Sequence, residues 1–261
     1  MKGKSRAILS GAVVALLVMI PALCVNAEVI QQAGVRIHLD GKLTPRALPR
    51  TGLAPVRVSV SATIAAVDAK APPQLRAIAI AINRNGHFNT AGLPVCGLRE
   101  IQPSSTAGAL AACRRSLVGE GRFTAKVILS AQPPFPSAGK VYAFNSRLHG
   151  RPAILAHVYG TKPIPTSFTL PFELQPSKGT FGTVLKSSLP AVVGNSGYIT
   201  SLSLNLGRSF KAGGKRRSYL SAGCPAPKGF PGTPFPFSRA SFAFAGGAKL
   251  TSVLTRTCKV R

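Results

Sequence analysis

Acidic residues are scarce in this sequence: six Asp and Glu stand against 33 Lys and Arg, a formal charge of +27. Chemistry that needs two cooperating carboxylates, such as glycoside hydrolysis, has few candidates to draw on. Beyond Glu28 they are Asp40, Asp68, Glu100, Glu120 and Glu173, and no two form a close pair along the chain. Tryptophan is absent, and the one aromatic beside the densest run of cations is Tyr219, so base stacking of the kind single-strand nucleic-acid binders use would rest on a single ring. Cys-x-x-Cys and Cys-x-x-His spacings are missing, which argues against a structural zinc. Gly194-Asn-Ser-Gly197 lacks the Gly-x-Ser-x-Gly order of a nucleophile elbow. Gly213-Gly214-Lys215 lacks the first glycine, the spacing and the following hydroxyl of a phosphate loop. No cofactor, catalytic residue or metal set is therefore read from the chain.

What is present begins with a leader. Lys2, Lys4 and Arg6 precede an apolar run from Ala7 to Leu23, and Val25-Asn26-Ala27 supplies small residues for cleavage. This is the three-part layout of a secretory signal. Residues 1–27 are expected to be removed; a retained anchor is the competing reading, since about 17 apolar residues is the lower limit for spanning a bilayer. Leu23 before Cys24 fits lipid attachment poorly. The mature chain, 28–261, is expected to be secreted or wall-associated with no membrane span, and its formal charge is +24 once three leader cations are gone. Such a surface attracts polyanions: anionic wall polymers, lipid headgroups or nucleic acid. An exported chain rarely meets the last, so nucleic acid is the least expected partner.

Four cysteines remain: Cys96, Cys113, Cys224 and Cys258. An even number in an exported chain reads as disulfides with three possible pairings. Proximity favours Cys96–Cys113 and Cys224–Cys258, each worth on the order of 3 kcal/mol in the chain-entropy model.

Periodicity points to antiparallel sheet. Val141 to Leu148, Ala153 to Tyr159 and Ser167 to Leu174 are three strand-like runs punctuated by His149-Gly-Arg-Pro152 and Gly160-Thr-Lys-Pro-Ile-Pro165. In the last, Phe168, Leu170, Phe172 and Leu174 repeat at a period of two. Val56, Val58 and Val60 alternate likewise, as do Ile78, Ile80 and Ile82 before Asn85-Gly86, a strong turn pair. His87 to Leu93 is the expected returning strand. Tyr198, Thr200, Leu202, Leu204 and Leu206 are expected on one face, and Pro225 to Pro236 as irregular loop. Pro103-Ser-Ser-Thr106 followed by Ala107 to Ala112 is the convincing helix of the mature chain, with Ser or Thr as cap and Arg114-Arg115 at its negative end. The expected fold is all-β: an antiparallel β-sandwich or stacked sheets with one short helix. One domain over 28–261 is the simplest organisation; if there are two packed halves, each with a cysteine pair, the boundary falls near residue 175.

Three constellations bear on function. His38 and Asp40 share a strand face. His149 and His157 flank the central turn, where two imidazoles meeting would make half a zinc site. Lys211, Lys215, Arg216 and Arg217 lie within seven residues around Gly213-Gly214, and arginine offers bidentate contacts to phosphate or carboxylate. The last is the expected anion-binding site. The segments Arg216-Arg-Ser-Tyr-Leu-Ser-Ala-Gly-Cys-Pro225, Phe242-x-Phe244, Thr257-Cys258-Lys259, Gly-Leu-Pro-Val-Cys96 and Ala-Cys113 together resemble uncharacterised exported proteins of actinobacteria. The resemblance implies export and a shared fold, and no activity. The expected function is that of a secreted, basic, β-rich binding or structural protein of the cell envelope, non-catalytic; the alternative is a secreted hydrolase whose site assembles only on folding.

Overall fold

The structure, a computed structural model, describes residues 28–68, 71–102, 105–128, 132–162, 165–189, 197–224, 226–230 and 232–261. The leader and the Gly194-Asn-Ser segment lie outside the described residues.

The chain opens with β1 (Glu28–Gln32), which turns at Ala33-Gly34 into β2 (Val35–Thr44). Both turn residues have positive φ, 50° and 75°, as a tight two-residue hairpin requires. Short β3 (Ala47–Leu48) and β4 (Ala54–Pro55) precede β5 (Arg57–Ala66), β6 (Leu75–Asn83) and β7 (Gly86–Phe88). Two helices follow, α1 (Leu98–Ile101) and α2 (Thr106–Cys113). The Ser105 side chain accepts a hydrogen bond from the Gly108 amide, so the expected cap forms. Next come β8 (Leu117–Val127), β9 (Phe135–Leu148), β10 (Arg151–Gly160), β11 (Thr166–Pro176), β12 (Phe181–Ser188) and β13 (Gly197–Leu206). The chain finishes with β14 (Ser209–Ala212), β15 (Lys215–Ser218), β16 (Leu220–Ala222), β17 (Gly232–Phe244) and β18 (Lys249–Val260).

Thirteen strands make one sheet, ordered β1-β2-β5-β13-β8-β9-β10-β11-β12-β6-β17-β18-β3. The facing layers expected of a sandwich are thus two sides of a single curled sheet. Strands from before and after residue 175 interleave: β13 sits between β5 and β8, and β6 between β12 and β17. Every neighbouring pair runs antiparallel except β18 with β3. The curl brings β1 and β2 against β18, where side chains make the seam. The Glu28 carboxylate accepts from Ser252 Oγ at 2.8 Å and from the Thr255 amide at 2.9 Å. Arg256 donates to Asp40 at 2.8 Å and to the Gly41 carbonyl. A barrel stitched in this way covers edges that would otherwise be open to pairing.

The inward face carries the main core. The outward face of β9 and β10 carries a second one, where Phe144 and Leu155 are fully buried together with Ile101, Ala109, Cys96 and Cys113 of the helical flap. Burial on both faces explains the continuous apolar run from Ala153 to Tyr159. The disulfides are Cys96–Cys113, pinning the flap, and Cys224–Cys258, tying the end of β18 to the segment after β16. Two disulfides fit an oxidising location, and no described helix is long and apolar enough to cross a membrane.

Three local readings change. β7 does not return along β6; it pairs with β16 in a small sheet ordered β4-β16-β7, because both flanks of β6 are taken by β12 and β17. Residues 232–236 are strand, not loop. There β17 has β18 as its sole ladder partner among the described residues, and pairing with β6 starts only at Ser238. Pro234 and Pro236 therefore sit where a missing N–H is tolerated. In β13 the register shifts against β8 between Ile199 and Ser201, so Ile199 joins Leu202, Leu204 and Leu206 at the core while Tyr198 does not.

Candidate functional site

The expected anion site is a hairpin with a small sheet of its own. β14 and β15 form their own two-stranded sheet with Lys211 opposite Arg216, Phe210 opposite Arg217 and Ala212 opposite Lys215. Gly213 and Gly214 form the tip with φ of 57° and 73°, the left-handed pair that this turn demands and glycine accepts without cost to a side chain. Lys211, Lys215, Arg216 and Arg217 are all exposed. Like charges directly opposite on a ladder destabilise it, and Lys211 with Arg216 is such a pair. None of the four forms an ion pair among the described residues.

The base of the hairpin is held firmly. The Tyr219 amide donates to the Arg208 carbonyl, and the Asn89 amide to the Tyr219 carbonyl. Asn89 Nδ2 donates to the Ser218 carbonyl and to Ser221 Oγ. Tyr219 is fully buried, edge-on to Phe88 at 5.9 Å between ring centroids, and burial pushes its phenol pKa up. It is thus withdrawn from the surface and offers no ring for base stacking.

Arg208 enlarges the site in a way the sequence did not announce. Its guanidinium donates to the Arg115 and Leu117 carbonyls, each at 2.7 Å. This bond fixes the hairpin base to the end of α2, where Arg114 and Arg115 are exposed. Two cationic clusters that are about 100 residues apart along the chain thereby become neighbours, joined through Arg208.

The imidazoles go elsewhere. Asp40 belongs to the seam with Arg256, and His38 is exposed beside it. His149, at the β9–β10 turn with φ 49°, lies 2.8 Å from Glu173. This pair borders an open outer cleft of about 760 Å³ that also holds Lys186, Lys249, Ser241 and Thr251. The hydrogen bond from His149, followed by one from Gln175, holds the Glu173 carboxyl below its ordinary pKa. Among the described residues no hydroxyl is hydrogen-bonded to His149. His157 does not approach His149, because it lies six residues up β10, about 20 Å of extended chain. It is fully buried between Tyr142 and Thr169 on the neighbouring strands. Neither ring nitrogen has a partner among the described residues, and desolvation lowers its pKa. The half zinc site is therefore not assembled. One group of three conceivable metal ligands exists among the described residues, Cys96, Glu100 and Cys113. Its two sulfurs are bonded to each other, so neither is available as a thiolate.

Inside the barrel lies a feature the periodicity did not reveal: a cavity of about 140 Å³ walled by aliphatic and aromatic side chains. It reaches from the middle of the barrel to the small β4-β16-β7 sheet, where Asn85, His87 and Ser221 border it while its surface stays almost wholly apolar. Compared with known family models, curated proteins and solved structures, the chain matches none.

Proposed function

We propose that the mature chain is a non-catalytic binding protein of the cell envelope, exported and held on anionic wall polymers or lipid headgroups by the β14–β15 hairpin and the arginines at its base. The observation that carries this reading is the exposed cross-strand pair Lys211–Arg216. A ladder that spends stability on repulsion regains it when a polyanion lies across both cations. The rigid base supports the same reading, since a clamped hairpin loses little freedom on binding.

The test compares the mature protein with a Lys211→Ala/Lys215→Ala/Arg216→Ala/Arg217→Ala variant on wall fragments and on phosphatidylglycerol or phosphatidylcholine vesicles. Wild type is expected on the anionic surfaces, released as salt rises from ~0.1 to ~1 M and the screening length falls from about 10 to 3 Å. The variant is expected to stay in solution. Retention that ignores both salt and the substitutions would refute the reading.

A further inference from the structure

We propose that the barrel interior is a binding site for a slender apolar molecule, of the class presented by a small hydrocarbon or the end of an acyl chain, entered from the β4-β16-β7 end. Val58 and Val60 on β5, Leu204 and Leu206 on β13, and Ile80 and Ile82 on β6 all line the cavity, and all but Val60 pack against the core. Yet each of the six is only half-buried, although these strands turn them inward. Their remaining accessible surface faces the cavity. Protein interiors are packed like organic crystals and rarely leave gaps larger than a water molecule. A chamber of about 140 Å³ with such walls is therefore a built feature rather than a packing fault.

Its size and chemistry define the guest. The volume is close to the ~150 Å³ engineered cavity that takes up benzene, and an apolar cavity of that kind stays dry. It is smaller than the ~300–1,000 Å³ typical of sites for drug-sized ligands. One small ring or the terminal carbons of a chain fit; a bulky amphiphile does not. Of the described residues lining the cavity, only His87 is exposed, with Asn85 half-buried beside it and Arg84 immediately before. Ser221 Oγ lies at the same end, accepting from Asn89 Nδ2 at 3.0 Å. A polar end group on the guest stays outside the apolar lining at this end, with the apolar part pointing toward Leu204.

Methyl NMR spectra of the mature protein titrated with benzene, octanoate and dodecanoate test the site directly, with cis-parinaric acid fluorescence as a second readout. The Leu204 and Ile82 methyls are expected to shift on saturation, and dodecanoate to displace parinaric acid. Saturation by benzene alone assigns the site to free small apolar molecules; saturation by the two carboxylates assigns it to acyl chains. Leu204→Phe, which fills the chamber, is expected to weaken binding at least tenfold without lowering Tm. Val60→Phe, beside Leu204 on the neighbouring strand β5, serves the same purpose should the first variant not fold. The fourfold alanine variant of the hairpin is expected to bind these probes like wild type, so failure of the envelope reading leaves this inference standing, and the reverse. Absence of methyl shifts with all three ligands, or undiminished binding in a folded Phe variant, overturns it.

Discussion

On β9 and β10, Phe144 and Leu155 point outward and Val141, Ala156 and Val158 point inward, and all five are buried. On β5 and β13, Val58, Val60, Leu204 and Leu206 also point inward but keep accessible surface, while Ser59, Ser61 and Ser203 lie on the other face. Both walls border the chamber, but one is closed on both sides, with Val141, Ala156 and Val158 buried within and the α1–α2 flap without. The other has solvent outside and keeps accessible surface toward the chamber inside. Alternation along a strand says which residues leave water; it does not say whether the space they enter is full.

The largest test of this contrast is truncation. Leu155→Ala, in the doubly covered wall, is expected to cost about 3 kcal/mol in urea denaturation, the usual range for a fully packed leucine. Leu204→Ala, beside the chamber, is expected to cost about half that, since its side chain has fewer atoms to lose contact with. Equal losses would abolish the distinction between the walls. Enlargement sharpens it: Ala143→Leu, where the alanine is fully buried and does not border the chamber, is expected to destabilise by about 2 kcal/mol through overpacking.

A smaller effect comes from His157, sealed into the packed wall. In the unfolded chain its imidazole takes up a proton near the ordinary value of 6.5, whereas burial lowers that value in the folded protein. The unfolded state therefore binds more protons between the two values, and stability falls as pH drops below about 6.5. It is fully present above that pH. The slope from this one group has a ceiling of about 1.4 kcal/mol per pH unit. Denaturation midpoints at pH 7 and pH 5.5 should diverge in wild type and converge in His157→Gln. An unchanged pH slope in the variant would mean that the imidazole is solvated in the fold.

The smallest effect belongs outside both walls. Arg216→Ala relieves the repulsion with Lys211 and is expected to leave stability unchanged or raise it by about 0.5 kcal/mol, while weakening retention on anionic vesicles. A substitution that stabilises the protein and impairs binding is the signature of a residue kept for its partner. Loss of stability in Arg216→Ala would instead make the arginine a structural contact.

Much of the architecture was legible because local chemistry decided it. Ser105 before an alanine-rich run announces α2, and His149-Gly150 between apolar runs announces the β9–β10 turn. Cysteine spacing pointed to the disulfides that form. The errors have a common cause. Pro234 and Pro236 read as loop because a proline excludes a strand only when a neighbour lies on the side of its missing N–H, and which sides are occupied is a property of the sheet. The phase of Tyr198 departs from simple alternation because the β13 bulge answers to β8, not to its own sequence. For the site, the hairpin cations were visible as a run, but Arg208 was not, since a lone arginine gains meaning only from the carbonyls it meets.

By itself the sequence determined that this chain makes antiparallel strands with oily and polar faces, a capped helix, an even set of cysteines and a strongly cationic exterior. Those are consequences of side-chain periodicity, capping geometry and charge, all of which act over a few residues or over composition as a whole. Tertiary structure alone decided that the sheet curls until Glu28 and Asp40 meet β18, that Arg114 and Arg115 join the hairpin, and that aliphatic walls stop short of filling their interior. Each depends on distances between residues far apart in the chain, and volume in particular belongs to no residue.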